Sequence, residues 1–205
     1  MRHLPLTVPI CTKWQYCNLM YIAMAHLVET VTGQYLGNFL REHIWWPLGM
    51  GETFMSIPEA QAASVHLAQG YEAQGAGNIV LLAVDYAKWL CAMINHAPLI
   101  SVAGHAALVR AHSIMRPDIE LPDLALVTYG LGWTIHSYCG EVVVEHSSVQ
   151  PGFGAGVFFL PGQQFGVALF NNNMIGGGAA TQVLVCHLID KFLDTPLDKQ
   201  FDWVS

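Results

Sequence analysis

The sequence predicts an α+β fold, with a mainly helical first part, then an antiparallel meander, then a closing helix. Three observations carry this. Apolar residues recur at helical spacing over 16–32, where Leu19, Ile22, Ala23, Leu27, Val28 and Val31 share a stripe. From about residue 128 the pattern changes to short β-rich runs separated by turn residues, such as Val142-Val143-Val144 and Val157-Phe158-Phe159-Leu160. Helical spacing then returns over 179–193 with Leu184, Val185, Leu188, Ile189, Phe192 and Leu193. Helices, then hairpin-connected strands, then a helix is an α+β order. Residues 1–127 read as the helical region and 128–205 as strands plus the last helix, together one structural unit.

The elements follow in order. Residues 1–13 read as extended, with Pro5 and Pro9. The first helix runs to Thr32-Gly33, a helix stop. A second covers 34–46 and ends at Pro47, because proline removes a backbone donor and disfavours helix at the residue before it. Residues 51–78 read as irregular, broken by Gly70, Gly75 and Gly77. A third helix covers 83–95, with Val84, Ala87, Leu90, Cys91 and Ile94 on one face, and a weaker one 101–112. Pro117 and Pro122 mark a loop. Residues 129–135 read as a strand, Tyr138-Cys139-Gly140 as a turn, 141–146 as a strand and 147–152 as a loop. Residues 155–160 and 165–171 pair across Pro161-Gly162. Gly176-Gly177-Gly178 reads as a flexible link.

Composition narrows the function. The chain has 205 residues, enough for one substantial core. Charged residues make up 11% and hydrophobic ones 53%, against about 25% charged in an ordinary soluble domain. Such a chain buries much of itself or offers apolar surface to something else. Eight Lys plus Arg, dispersed, and a net charge of -7 argue against nucleic acid as partner. No apolar run has the length of a membrane span. The start, Met1 to Pro9, is a poor secretory signal, so a cytoplasmic location is expected. Five cysteines without CxxC spacing read as free thiols, with Cys91 and Cys186 in the core. The histidines show no HExxH or Cys/His spacing, so no metal and no cofactor is expected. Trp45-Trp46 reads as packing.

Tyr16-Cys17-Asn18 opens the first helix. Alone it is a helix start with an ordinary asparagine cap. In order along the chain come Thr32-Gly33, Pro47-Leu48-Gly49-Met50 with Thr53, and Ala76-Gly77 leading to Asp85-Tyr86-Ala87-Lys88-Trp89. Tyr129-Gly130-Leu131-Gly132-Trp133, His146-Ser147-Ser148, Pro151-Gly152-Phe153-Gly154, Gly166-Val167-Ala168 with Asn171, and Asp202-Trp203 follow. This ordered set resembles the serine β-lactamase-related family, which includes class C β-lactamases, penicillin-binding proteins and transesterase-like esterases; the last motif resembles fungal members. The resemblance implies a β-lactamase/transpeptidase-like fold, here without the family's N-terminal helix and strands. It implies Tyr16 as the base, His146 as the third-motif residue, and Asn18, Ser147, Ser148 and Phe153 as substrate-binding positions.

The departures bear on activity. The family's nucleophile lies in Ser-x-x-Lys. The residues three before Lys13, Lys88, Lys191 and Lys199 are Ile10, Asp85, Leu188 and Pro196, so that motif is absent from the sequence. Ser148 stands where the third motif has glycine, which should narrow the cleft. Three functions are open. One is a hydrolase or acyltransferase-like protein for small esters, amides or thioesters, in the setting of secondary metabolism, inactive as an acyl-serine enzyme in this form. Another is an isomerase or cyclase using Tyr16 and His146 as acid and base on an apolar small molecule. The third is a non-catalytic binding or scaffold protein. Expected partners are a small molecule and a homodimer mate or an N-terminal segment supplying the missing part, with neither nucleic acid nor membrane.

Overall fold

The computed structural model describes residues 5–63, 65–68, 79–116, 126–150 and 152–200. The Ala76-Gly77 turn, Gly70, Gly75, Pro117, Pro122, Pro151 and Asp202-Trp203 lie outside them.

The architecture is α+β. Helices α1 (Asn18–Thr32) and α2 (Leu36–Leu40) come first, and α2 runs on into a π-helical turn, Arg41–Trp45. Gly33 closes α1 in the left-handed region at φ 68°, and its N–H bonds the Glu29 carbonyl. Then come β1 (Thr53–Phe54), α3 (Ile57–Ala62) and β2 (Val80–Leu81); β1 and β2 pair as a small antiparallel sheet, and β1 and α3 lie within residues 51–78, which were expected to be irregular. Helices α4 (Ala83–Ile94) and α5 (Val102–Leu108) lead into the main sheet. Its strands are β3 (Ser113–Arg116), β4 (Val127–Tyr129), β5 (Thr134–Tyr138), β6 (Glu141–Gln150), β7 (Phe153–Leu160) and β8 (Phe165–Asn171). They lie in chain order, each antiparallel to the next. Helix α6 (Met174–Leu193) closes the fold.

The core lies on both faces of β6 and β7. Alternate residues of a strand point to opposite faces. Val144, Val157 and Phe159 pack with Leu90 and Met93 of α4 and with Trp133, while Val143, Phe158 and Leu160 pack with Val185 and Ile189 of α6. Both Val143 and Val144 are 1% exposed, so β6 is central and fixed.

Several expectations are corrected. Residues 147–150 are not a loop: Ser147 and Ser148 continue β6 by pairing with Gly156 and Ala155. The expected strand over 129–135 is split, because Gly132, at φ 84°, turns the chain between Tyr129 and Thr134. The glycine triplet is not a link but part of α6. A Cβ on Gly177 would run into the Asn171 side chain, so glycine serves close helix–strand approach. The inner face of α4 carries Asp85, Leu90, Ala92 and Met93, whereas Val84 and Cys91 face outward. That helix is apolar around much of its girth, so spacing alone does not fix its phase. Cys186 is buried as expected, and Trp45 is buried but Trp46 exposed. The apolar stripe of α1 is not packed inward: none of the helix's residues is buried.

One polar group ties the first part together. The Asp85 carboxylate accepts from the Glu52 N–H (2.7 Å), the Thr53 hydroxyl (3.0 Å) and Lys88 Nζ (2.7 Å), and Lys88 also bonds the Gly49 carbonyl. Burial opposes the charged form, but the bonds from Lys88, Glu52 and Thr53 outweigh it and hold the carboxyl below its usual range. Asp85→Ala is expected to cost about 3 kcal/mol in urea unfolding, since Thr53 and the Glu52 N–H lose a buried partner. The electrostatic part is present in full above the ordinary aspartate pKa of about 3.9 and is lost as pH falls from there through the lower folded value. The wild type should therefore lose more stability than Asp85→Ala between pH 5 and pH 3, roughly the window that linkage sets.

Candidate active site

The site lies where β6 outruns one of its neighbours. β5 pairs with β6 only as far as Thr134 opposite Glu145, while β7 continues to Phe153 opposite Gln150. Residues 146–150 thus keep a strand edge that β5 does not cover. His146 is the first residue of that edge. The head of α1 stands against it: the Tyr16 ring lies 6.2 Å from the His146 ring, centre to centre. Tyr16 is 130 residues before His146 in the chain, and the fold brings them together.

An aromatic group surrounds the pair. Tyr16 lies 5.5 Å from Tyr21 and 6.5 Å, edge-on, from Tyr129, and Trp14 lies 5.1 Å from Tyr129. The Tyr21 and Tyr129 hydroxyls are hydrogen-bonded at 2.8 Å. Tyr129 ends β4, so its backbone is held by Ser113 of β3 and Thr134 of β5.

The other expected site residues are dispersed. Asn18 is the first residue of α1 and is exposed; Cys17 holds the cap position, without a side-chain bond. Ser148 is two residues beyond His146, hence on the same face of β6, and is exposed. Ser147 lies on the opposite face, the side of α6. Phe153, 39% exposed, pairs with Gln150 at the tip of the hairpin. Tyr21, Tyr129 and Trp14 were not singled out as site residues. Tyr21 follows Tyr16 by five positions and Tyr129 precedes the glycine turn, but nothing in their spacing joins residues 108 apart.

The protonation states are set by burial. Burial, then the neighbouring Tyr21, pushes the Tyr16 hydroxyl above the ordinary phenol value. Burial, then the hydrogen bond with Tyr21, pushes Tyr129 well up. Burial lowers His146, and Glu145 only partly opposes it. At neutral pH the arrangement therefore holds a neutral phenol beside a neutral imidazole, a donor next to an acceptor. Burial pushes the Cys186 thiol up to about 11, which keeps it out of thiolate chemistry. Among the described residues no group of three or more His, Cys, Asp or Glu is placed to hold a metal ion, and no helix is long and apolar enough to cross a membrane.

Residues 1–182 match the model of the Beta-lactamase family. The chain belongs to that family, as a β-lactamase-related hydrolase-family protein. Two relatives are named unguisins hydrolases. That of Aspergillus campestris is 36% identical over 99% of this chain and 41% of its own length; that of Aspergillus violaceofuscus is 31% identical over 100% and 42%. The chain thus spans about two fifths of the length of these relatives. A penicillin-binding protein 4 of Amycolatopsis lactamdurans is 24% identical over 84% of this chain and 50% of its own. Solved structures share the fold. The octameric penicillin-binding protein homologue of Pyrococcus abyssi superposes with a TM-score of 0.74 at 19% identity, covering 86% of this chain and 43% of that one. A class C beta-lactamase mutant superposes with 0.65 at 14% identity, over 84% and 57%.

In an NMR pH titration the His146 imidazole is expected to ionise below the ordinary histidine value of about 6.5. Replacing Glu145 by Gln should lower it further, because the opposing charge is gone. A midpoint at or above the ordinary value would show the ring to be open to solvent.

Proposed function

We propose that this chain carries the acid–base half of a serine-hydrolase cleft that cleaves small esters or amides. In this reading Tyr16 moves the proton of a serine hydroxyl, and His146 orients the substrate from the opposite wall. Asn18 and Ser148 flank the bound acyl group, and Ser147 and Phe153 shape the rim from the β6–β7 hairpin. The observation that carries it is the meeting of Tyr16 and His146, from two distant motifs, at the uncovered end of β6. Family membership and relatives named as unguisins hydrolases support hydrolysis as the reaction, and a setting in secondary metabolism.

The serine itself must come from outside these 205 residues, since Ser-x-x-Lys does not occur in them. A longer form of the chain or a second chain would supply it. Two uncovered surfaces support such completion. Helix α1 is apolar, with Leu19, Met20, Ile22, Met24, Leu27 and Val31 all exposed. An all-round apolar helix is ordinarily buried. Among the described residues β8 pairs only with β7, so its outer edge is open, as an added strand requires. The arriving lysine would also reverse the electrostatics at Tyr16. A cation within about 4–6 Å favours the phenolate and so lowers a pKa that burial now raises.

The test is covalent labelling read by intact mass. A fluorophosphonate is expected to leave the 205-residue chain unmodified and to add one label to a form extended through an upstream Ser-x-x-Lys. In that extended form Tyr16→Phe should lower kcat about a hundredfold, the lower range for loss of an acid–base group. A label on the isolated chain would overturn the reading and point to a nucleophile within it.

A second reading is favoured by the protonation states alone. A neutral phenol facing a neutral imidazole suits proton transfer without an acyl intermediate, as in an isomerisation or cyclisation of an apolar molecule. Turnover by the unextended chain that Tyr16→Phe and His146→Ala each abolish would favour it. Turnover that survives both would exclude it.

A further inference from the structure

The rings around Tyr16 raise the question of what fixes it. The backbone of α1 offers little: the helix has no buried residue and its N-cap makes no side-chain bond. Tyr16 itself precedes the helix and is 46% exposed. The sheet side is the opposite case. Tyr129 is paired on both flanks, and its carbonyl accepts from the His112 N–H at 2.9 Å. The next residue, Gly130, is wedged so closely that a Cβ would run into the Leu108 carbonyl oxygen.

We infer that the hydrogen-bonded Tyr21–Tyr129 pair is a positioning device that ties the head of α1 to the rigid end of β4 and so holds Tyr16 against His146. The geometry is direct. Tyr21 is in the second turn of α1, and its hydroxyl reaches Tyr129 at 2.8 Å. Tyr16 lies beside the pair, its ring 5.5 Å from Tyr21, 6.5 Å from Tyr129 and 6.2 Å from His146. Trp14 packs on Tyr129 from the irregular segment leading into α1, so the chain is held before and after Tyr16. Breaking the bond frees Tyr21 and leaves Tyr16 to follow α1 into solvent. Neither Tyr21 nor Tyr129 need touch substrate; both act through Tyr16. The inference rests on the reading of Tyr16 as the proton-moving residue, but it concerns the placement of that ring, which is measurable without turnover.

The experiment uses the 205-residue chain. Tyrosinate absorbance near 295 nm is followed against pH for wild type, Tyr129→Phe and Tyr21→Phe, each with and without Tyr16→Phe. The difference within each pair isolates the Tyr16 phenol. The titratable groups facing it are Tyr21, Tyr129 and His146, with Glu145 beside His146. Phenylalanine keeps the ring packing, so the variants are expected to fold. The expected result is a rise in the Tyr16 ionisation constant of about threefold or more in Tyr129→Phe, since the ring moves toward water and burial raises a phenol's pKa; Tyr21→Phe shifts further, because it also removes the neighbour that raises Tyr16 directly. The double variant Tyr21→Phe/Tyr129→Phe should match Tyr21→Phe, because the one bond and that neighbour are already lost in it. Deuterium exchange of residues 14–24 should quicken while β6 and β7 stay unchanged. A Tyr16 ionisation unmoved in Tyr129→Phe overturns the inference. So does a double variant shifted by the sum of the two. A Tyr16→Phe extended form with undiminished hydrolysis would overturn the catalytic reading and leave the placement of the ring untouched.

Discussion

The site depends on a mismatch of strand lengths. β6 has ten residues and β5 has five, and the pairing between them stops at Glu145. Below that point β6 is locked, with Val143 and Val144 in opposite halves of the core. Beyond it the strand is paired on one side alone, and His146 stands at the change. The cause is the turn that follows β4. Gly130 donates to the Trp133 carbonyl at 2.7 Å and Gly132 takes a positive φ, so β5 begins only at Thr134. Trp133 then drops into the core against Phe159, 5.3 Å away and edge-on, instead of extending the sheet. A glycine turn and one buried tryptophan thereby open the strand edge on which a cleft can form, and they set it above the most rigid part of the molecule.

The opposite wall is built on different physics. Nothing in α1 is buried, and what joins it to the sheet at its head is a set of rings and a hydroxyl pair rather than a packed apolar face. Such contacts are directional and each is small, on the order of 1 kcal/mol. They specify orientation better than they supply stability. A helix carrying Leu19, Ile22, Met24, Leu27 and Val31 at the surface also has much apolar area still to bury, at about 25 cal/mol per Å². Covering that face would add stability where the chain now has least. Completion of the fold and completion of the cleft would then be one event.

Much of this was legible in the sequence. Spacing located α1, α4 and α6, turn residues located the hairpins, and the ordered motifs marked Tyr16 and His146 from opposite ends of the chain. The failures share one cause, which is that a pattern gives an element but not its phase or surroundings. Cys91 and Val84 lie on an apolar stripe of α4, yet α4 turns a different stripe inward because Asp85 must reach Thr53. The three glycines in the first turns of α6 look like a flexible link, but Gly177 is there because the Asn171 side chain crosses it. Ser147 and Ser148 look like loop residues until Gly156 and Ala155 pair with them. Tyr21 and Tyr129 were beyond reach, since a bond across 108 residues has no local sign.

The charge pattern of the cleft gives the last step. Both influences on Tyr16 favour the protonated phenol: burial first, then Tyr21. Tyr129 behind it is also held neutral. On the facing wall His146 is neutral as well, because burial outweighs the pull of Glu145. A cleft so arranged stores no charge of its own. It can donate from a phenol and accept at an imidazole, but a phenol raised above its ordinary value is a poor base near neutrality. Turning Tyr16 into a base requires a cation placed beside it, and neither influence on its phenol, burial or Tyr21, is one. Under the proposed function, a lysine one helical turn from the arriving serine would supply that charge together with the nucleophile.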